Sequence, residues 1–295
     1  MKPAPFQYYA PATVEEVLSL LNEHGYDAKV LAGGQSLVPT MNFRLAQPAV
    51  IIDLNRVSEL SFVEPENSGG MRLGAMARQR EAERNPLFAE RTPLIYETMP
   101  HIAHPQIRNR GTLGGSIAHA DPAAELPAVM SALNARFKIL GLNGERWVPV
   151  NEFFLGMFTT ALEPEELLTE IAIPSLPPRS GWAFREIARR HGDYALVGVA
   201  VVVTLDDGNR CQQARIVFLS VGDGPVEARE AAKVLVGESP SEKTIRAAAE
   251  TAAGVDIDPG NDIHASATYR RHLAKVLTVQ ALTQAFERAS KAQGA

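Results

Sequence analysis

The sequence has one cysteine, Cys211, among its 295 residues. A single thiol excludes an intrachain disulfide, which favours a protein of the cytoplasm. It also excludes an iron–sulfur cluster held by this chain alone, because such clusters take several thiolates. The neighbours of Cys211 suggest no reactive or metal-binding role, so we interpret it as a structural residue.

Charge clusters and long apolar runs are also missing. The net charge is −5 and the basic residues are scattered, which argues against a nucleic-acid surface. The longest aliphatic run, Ala195 to Leu205, is too short to span a bilayer and predicts a buried strand. The segment Met1 to Pro5 lacks the apolar core of a signal peptide. We therefore expect a globular cytoplasmic chain without a membrane span.

Several signatures of common active sites are absent. Two of the glycine pairs in the chain are Gly33-Gly34 and Gly114-Gly115; neither is followed by Lys-Ser or Lys-Thr and neither reads G-x-G-x-x-G, so a P-loop and a Rossmann fingerprint are excluded. The G-x-S-x-G elbow of serine hydrolases is missing too. His101 and His104 lack nearby cysteines or a carboxylate cluster, so we predict no metal site.

The chain does contain those two glycine pairs in similar surroundings. One lies within Leu31 to Leu37 and the other within Arg110 to Ile117, and each is followed closely by a hydroxyl residue. Glycine permits positive φ and a close approach of backbone to ligand. Exposed N–H groups, helped by Ser36, Thr112 and Ser116, can then form a concave anion site. One pair alone fits a tight turn equally well, whereas two facing loops can hold a diphosphate from both sides.

A family resemblance becomes specific at these motifs. Ala32 to Ser36, with the following Leu-Val-Pro and Arg44, resembles the first FAD motif of the medium subunits of molybdenum hydroxylases, the family of carbon monoxide dehydrogenase and xanthine dehydrogenase. The stretch Pro105 to Pro122 resembles the second motif of that family almost residue for residue. Arg189 to Ala195 resembles the segment that places an aromatic ring against the flavin. The resemblance spans essentially the whole chain.

The resemblance implies one non-covalent FAD, with the first motif at the diphosphate and adjoining ribityl group and the second at the flavin end or diphosphate. It also implies that Leu167 and Leu168 flank the adenine and that Arg185 lies near the flavin. The cofactor-binding residues predicted in the two motifs are Ala32, Gly33, Gly34, Gln35, Ser36, Leu37, Thr112, Gly114, Gly115, Ser116 and Ala118.

Four further residues complete the predicted site. Lys29 precedes the first motif and either adds positive charge or is an ordinary surface lysine. Asp121 and Glu125 are candidate acceptors for ribose hydroxyls, and Asp121 also fits a turn before Pro122. The family usually has aspartate at the position of Glu125. Tyr194 is predicted to pack against the isoalloxazine, although a tyrosine at the start of a strand explains it equally well.

The predicted fold class is α+β. A two-subdomain FAD-binding domain of the PCMH type, as in VAO-like flavoproteins, is expected over residues 1–175, with subdomains of about 1–55 and 56–175. After a Pro-rich linker from Pro174 to Gly181, a smaller α+β domain of antiparallel strands and helices is expected over residues 181–290.

Local patterns predict the individual elements. Thr13 to Glu16 is a capping box that begins a helix, and Gly25 ends it. The turn Asn143-Gly144 indicates a hairpin. Other strands are predicted at 28–32, 49–54, 71–75, 167–173, 182–188, 195–205 and 213–221, and other helices at 93–103, 127–134, 226–236, 242–253 and 266–289, with 290–295 frayed.

The resemblance implies electron relay as the function. A large partner with the molybdenum cofactor hydroxylates the substrate, a small partner carries two [2Fe–2S] clusters, and this chain passes electrons through FAD to an external acceptor in a heterotrimer or its dimer. The chain would hold no metal and no catalytic residue of its own. Alternatives are a stand-alone FAD oxidase or dehydrogenase and a nucleotide-binding module without redox activity. The substrate stays open among carbon monoxide, purines, N-heterocycles, nicotine-type compounds and aldehydes.

Overall fold

The computed structural model describes residues 2–292 and arranges them around three larger β-sheets and one two-stranded sheet. Helices cover these sheets, and most strand pairs are antiparallel. The expected α+β class is therefore confirmed. No helix in this described range is both long and apolar enough to cross a membrane.

The first sheet is small and parallel, with strand order β1 (Gln7–Tyr9), β3 (Val50–Asp53), β2 (Ala28–Leu31). Helix α1 (Val14–His24) buries Val17, Leu18 and Leu21 against it. The predicted Thr13 cap is confirmed, because its side chain accepts a hydrogen bond from the Glu16 amide; the Glu16 carboxylate accepts one from the Ala12 amide, one residue before the Thr13 amide of a standard capping box. Short helix α2 (Leu37–Asn42) follows β2 through the first glycine motif.

The second sheet has five antiparallel strands in the order β4 (Val63–Pro65), β5 (Met71–Gly74), β10 (Leu167–Ile173), β6 (Arg136–Gly141), β7 (Gly144–Pro149). The predicted hairpin is confirmed, but Gly141 pairs with Gly144, so the two loop residues are Leu142 and Asn143. Gly144 adopts a φ of 126° as β7 begins, which is why glycine is needed at that position and not within the loop itself.

Short helices and a small hairpin surround this second sheet. The helices are α3 (Gln79–Arg84), α4 (Pro86–Arg91), α5 (Pro93–Thr98), α6 (Pro105–Arg108), α7 (Leu113–His119), α8 (Glu125–Ala132) and α9 (Val150–Phe153), and the hairpin consists of β8 (Phe154–Gly156) and β9 (Thr159–Thr160). The helix expected over 93–103 is shorter than predicted. It becomes a 3₁₀ turn at Met99–His101, since Pro100 has no amide hydrogen to donate.

The third sheet has the order β11 (Ser180–Ala188), β12 (Ala195–Leu205), β13 (Cys211–Leu219), β14 (Val226–Glu227), all antiparallel. Helices α10 (Arg229–Leu235), α11 (Glu242–Thr251) and α12 (Ala267–Lys291) cover one face. Strand β12 is buried along its whole length because its other face packs against the core of the second sheet. The aliphatic side chains of β12 therefore pack into two hydrophobic cores, and the strand is buried as predicted.

Two predicted boundaries in this region are wrong. The helix expected over 226–236 starts only at Arg229, because Val226 and Glu227 instead extend the edge of the sheet beside Phe218 and Val217. Helix α12 continues through Ser290 to Lys291, where fraying was expected. The rest of the segment for which fraying was predicted, residues 293–295, lies outside the described range.

Candidate functional site

The first glycine motif forms an open loop between β2 and α2. Gly34 has a φ of 73°, as expected for a glycine turn. The backbone amides of Gly33, Gly34, Gln35 and Ser36 donate no hydrogen bond to any residue in the range 2–292. The Ser36 hydroxyl does not cap α2 either. Four successive N–H groups are therefore available to an anionic ligand.

The second motif differs from the expected open loop. Thr112 caps α7 by accepting a hydrogen bond from the Gly115 amide, so both glycines of this motif lie in the first turn of a helix. Neither has a positive φ, which corrects the prediction for this pair. The Gly114 amide also donates to the Ala75 carbonyl, so the two glycine amides are already paired.

Glycine is required in the second motif for clearance. A Cβ atom on Gly114 would lie 2.5 Å from the Cβ of Ala75, and one on Gly115 would lie 2.6 Å from the Thr112 hydroxyl oxygen. Helix α7 buries Leu113 and Ile117, whereas Ser116 is half-buried and Ala118 is exposed. Gly115 is half-buried like Ser116, so Gly115, Ser116 and Ala118 are the predicted residues of α7 that have exposed surface.

The two motifs pack directly against each other, as predicted. A Cβ atom on Gly33 would lie 2.5 Å from the carbonyl oxygen of Arg110, and one on Gly115 would lie 3.3 Å from the Cβ of Ala32. The free amides of the first loop therefore lie beside the open face of α7. We call this junction of the two motifs the cradle; its free amides and hydroxyl groups are suited to an anionic ligand.

The other residues that the sequence predicts around this cradle differ in their burial and contacts. Lys29 is exposed on β2, and Leu37 is half-buried at the start of α2. Leu167 and Leu168 are buried in two different cores, so their side chains pack against protein. Asp121 forms the predicted turn, with its carboxylate accepting a hydrogen bond from the Ala123 amide at 2.9 Å.

A buried acidic group lies near the second motif. Glu125 begins α8 and is only 8% exposed. Burial raises its pKa to about 8, and the charges of Glu186 and Asp121 act in the same direction. A carboxyl group with this pKa is mostly protonated at neutral pH, so it can donate as well as accept a hydrogen bond.

Glu186 is a site residue that the sequence analysis missed. One carboxylate oxygen lies 3.3 Å from His101 Nδ1, and the other is buried with no hydrogen-bond partner among the described residues. Glu186 shares its sheet face with Phe184, towards the second sheet, while Arg185 lies on the helix-covered face opposite Val199. The Arg185 side chain thus leaves β11 on the face of the sheet that is turned away from the cradle.

The third motif lies within electrostatic reach of these carboxyl groups. Partial burial and the negative charges of Asp121 and Glu125 raise the pKa of Tyr194. The Tyr194 side chain is still 65% exposed, so its ring is available to a ligand or partner. Gly192, at a φ of 86°, brings the preceding loop against the His104 ring. The fold therefore brings the second and third motifs together.

The groups collected here are suited to binding a polar, anionic ligand. No group of three or more potential metal ligands occurs within residues 2–292. Cys211 is 1% exposed and burial raises its pKa to about 11, consistent with the predicted structural role. Free amides, a serine hydroxyl and buried carboxyl groups suit the phosphates, hydroxyls and ring N–H groups of FAD.

Comparisons with known proteins agree with this chemistry. The family described as FAD binding domain in molybdopterin dehydrogenase matches residues 4–176, and the CO dehydrogenase flavoprotein C-terminal domain matches residues 182–285. The chain is 42% identical to the 6-hydroxypseudooxynicotine dehydrogenase complex subunit alpha of Paenarthrobacter nicotinovorans over 98% of this chain and 97% of that protein. It is 38% identical to the carbon monoxide dehydrogenase medium chain of Hydrogenophaga pseudoflava over 98% and 99%.

Solved structures show the same fold. A chain of carbon monoxide dehydrogenase from Hydrogenophaga pseudoflava superposes with a TM-score of 0.94 at 39% identity, covering 98% of this chain and 99% of that one. Quinoline 2-oxidoreductase from Pseudomonas putida 86 gives 0.92 at 40% identity with the same coverage. The chain therefore belongs to the family of FAD-binding medium subunits of molybdenum hydroxylases, and it is an oxidoreductase subunit with FAD as its cofactor.

Proposed function

We propose that this chain relays electrons within a heteromeric molybdenum hydroxylase. Electrons would come from [2Fe–2S] clusters on a small partner subunit and leave through FAD to an external acceptor. A large partner with the molybdenum cofactor would oxidise the substrate. The observation that carries the proposal is the cradle itself, in which the loop with four unpaired amides from Gly33 to Ser36 packs against the second FAD motif.

The chain's own residues would bind and orient FAD, which supplies the redox chemistry. The amides of the first loop would bind the diphosphate, and Ser116 would reach it or the ribityl group from α7. Glu125 and Asp121 would hydrogen-bond hydroxyl or ring N–H groups, and Tyr194 would cover the isoalloxazine. The other proposed contact residues are Lys29, Ala32, Leu37, Thr112, Gly114, Gly115 and Ala118, whereas the surroundings of Leu167, Leu168 and Arg185 argue against contact of their side chains with FAD.

An exposed apolar surface beside the second motif supports docking of a partner. The tip of the β8–β9 hairpin exposes 64% of Leu155, 54% of Met157 and 55% of Phe158. The Phe158 amide donates to the Ala120 carbonyl at the end of α7, and its ring lies 5.1 Å from that of His119. Exposed apolar groups of this kind commonly mark interaction sites. We propose that the small subunit covers this tip.

The names of the relatives support the proposal that another subunit selects the substrate. Three relatives with similar sequence identity to this chain are named for three different compounds: 6-hydroxypseudooxynicotine, carbon monoxide and caffeine. We therefore leave the substrate open and propose a heterotrimer, or its dimer, in the cytoplasm. We also propose that the FAD-binding domain covers residues 1–175, with subdomains of about 1–55 and 56–175, and the smaller domain residues 181–290.

The test is an anaerobic reduction experiment. The chain purified with FAD is mixed with a substrate of the complex, and flavin absorbance is followed before and after addition of the molybdenum and iron–sulfur subunits. The relay predicts bleaching only in the reconstituted complex. Rapid bleaching of the chain alone would instead establish a stand-alone dehydrogenase, and a chain without any flavin would refute both readings. Release of free FAD by acid would confirm non-covalent binding.

A further inference from the structure

Two backbone carbonyls at the junction of the glycine motifs accept hydrogen bonds from side chains outside both motifs. The carbonyl of Ala32, just before the first glycine pair, accepts a hydrogen bond from the Asn55 amide Nδ2 at 3.1 Å. The carbonyl of Arg110 accepts one from Arg78 Nη1. These contacts orient the two carbonyls towards the donors, which leaves the unpaired amides of the first loop for an anion.

The two donors are joined to each other and to the first sheet. Arg78 Nη2 donates to Asn55 Oδ1 at 2.6 Å. The Asp53 carboxylate accepts hydrogen bonds from the Asn55 backbone N–H at 2.8 Å, from the Asn55 side-chain amide, and from the Tyr8 hydroxyl at 2.6 Å. One line of hydrogen bonds therefore extends from β1 through the end of β3 to the carbonyl of Arg110. It fixes the distance between two loops that come from different sheets.

Arg78 also places positive charge at this junction, beside that of Arg110 and with Asp53 as the nearby negative charge. No carboxylate lies within 4.0 Å of its guanidinium among the described residues. Burial lowers its pKa, as does the neighbouring positive charge of Arg110, with Asp53 acting in the opposite direction. Arginine stays charged at any physiological pH. The junction is therefore electropositive behind the loop amides, which favours a bound diphosphate.

We propose that Arg78 is a positioning residue for FAD, acting with Asn55 to hold the two glycine loops at the spacing that a diphosphate needs. This inference rests on the proposed binding of FAD at the cradle. Arg78 acts through the Arg110 carbonyl and through Asn55. Its planar guanidinium reaches both acceptors at once, which a lysine ammonium on a single stem does poorly.

The experiment measures binding of FAD and of ADP to the full chain freed of flavin. ADP carries the diphosphate without the isoalloxazine, so it reports on the cradle independently of redox chemistry. Arg78→Met should weaken both ligands about 10- to 100-fold, as expected for loss of a charge-assisted hydrogen bond. Asn55→Ala should weaken both by a similar factor, and the double variant should lose little more than either one, because the two act as a unit. Arg78→Lys should recover only part of the affinity.

The matched control is Arg84→Met. Arg84 lines the same surface cavity of about 480 Å³ as Arg78 but contacts neither loop, so its replacement should change either affinity less than twofold. Arg146→Met serves as a purely structural comparison, since it removes an ion pair with Glu166 on the second sheet and should lower thermal stability without changing affinity.

The possible outcomes separate this inference from the proposed function. Wild-type affinity in Arg78→Met, or full additivity with Asn55→Ala, would overturn it while leaving FAD binding intact. A wild-type chain that binds neither FAD nor ADP would refute the proposed function itself. If Arg78→Met fails to fold, Asn55→Ala and Arg78→Lys still decide the matter, because each must weaken both ligands.

Discussion

Glu125→Gln should change the pH dependence of stability in the flavin-free chain. The Glu125 carboxyl has an ordinary pKa of 4.5 and a folded-state pKa of about 8, raised first by burial and then by Glu186. The folded state thus holds a proton that the unfolded state has released. This contribution to stability is fully present below pH 4.5 and is lost as the pH rises towards 8. A neutral glutamine removes the titration.

The size of the effect follows from proton linkage. Where one state binds one more proton than the other, the free energy of unfolding changes by about 1.4 kcal/mol per pH unit. Between pH 5.5 and 7.5 the wild-type chain should therefore lose about 2–3 kcal/mol relative to Glu125→Gln. The measurement is a set of urea unfolding curves for both proteins across this range, with the difference between them plotted against pH.

A control with the opposite sign strengthens the test. The Arg146 guanidinium lowers the pKa of Glu166, so stability from that pair is present above pH 4.5 and lost as the pH falls below it. Glu166→Gln should therefore differ from wild type in a way that changes only at acidic pH. Parallel curves for wild type and Glu125→Gln between pH 5.5 and 7.5 would show that Glu125 is ionised in the folded chain, and the reasoning would fail.

Three further variants examine the cradle and its surroundings. Gly33→Ala brings a Cβ to 2.5 Å from the Arg110 carbonyl and should lower FAD affinity at least tenfold by titration, whereas Gly260→Ala, in open space, should not. Tyr194→Ala removes one aromatic contact of about 0.5–1.5 kcal/mol, so the rate of flavin reoxidation should change more than FAD affinity. An unchanged reoxidation rate would count against the placement of Tyr194 on the isoalloxazine. Phe158→Asp should abolish co-purification with the small subunit at normal FAD content, and an intact complex would exclude this docking tip.

Signals carried by neighbouring residues were read correctly from the sequence. The Thr13 cap and the hairpin between β6 and β7 depend on residues three or fewer apart, and both are present. Errors arose where distant segments decide the outcome. Val226 and Glu227 have a helical pattern, yet they gain backbone hydrogen bonds at the free edge of β13. Edge pairing of this kind overrides local preference and leaves no local trace.

In the site, too, local features can be predicted from the sequence and contacts between distant segments cannot. Both glycine motifs can be recognised in the sequence because each is a continuous segment. Their mutual contact can be predicted because a diphosphate can be bound from both sides by two facing loops. Glu186 was missed because its role depends on which face of β11 meets the second sheet. Arg78 and Asn55 were missed because they meet only after two sheets have packed. Neither residue type is unusual at its position, so no sequence signal could have identified them.

The four motif glycines serve two different physical purposes, and this explains why the motifs look alike in sequence but not in structure. Gly34 provides a positive φ that turns the first loop and frees its amides. Gly33, Gly114 and Gly115 have no such φ, and a Cβ on any of them would meet protein atoms at 2.6 Å or less. These three glycines therefore permit close packing, of Gly33 on Arg110, of Gly114 on Ala75 and of Gly115 on the Thr112 side chain. An alanine tolerates a helical φ but not that clearance, so substitution at Gly114 should push the second motif away from Ala75 and affect stability as well as binding.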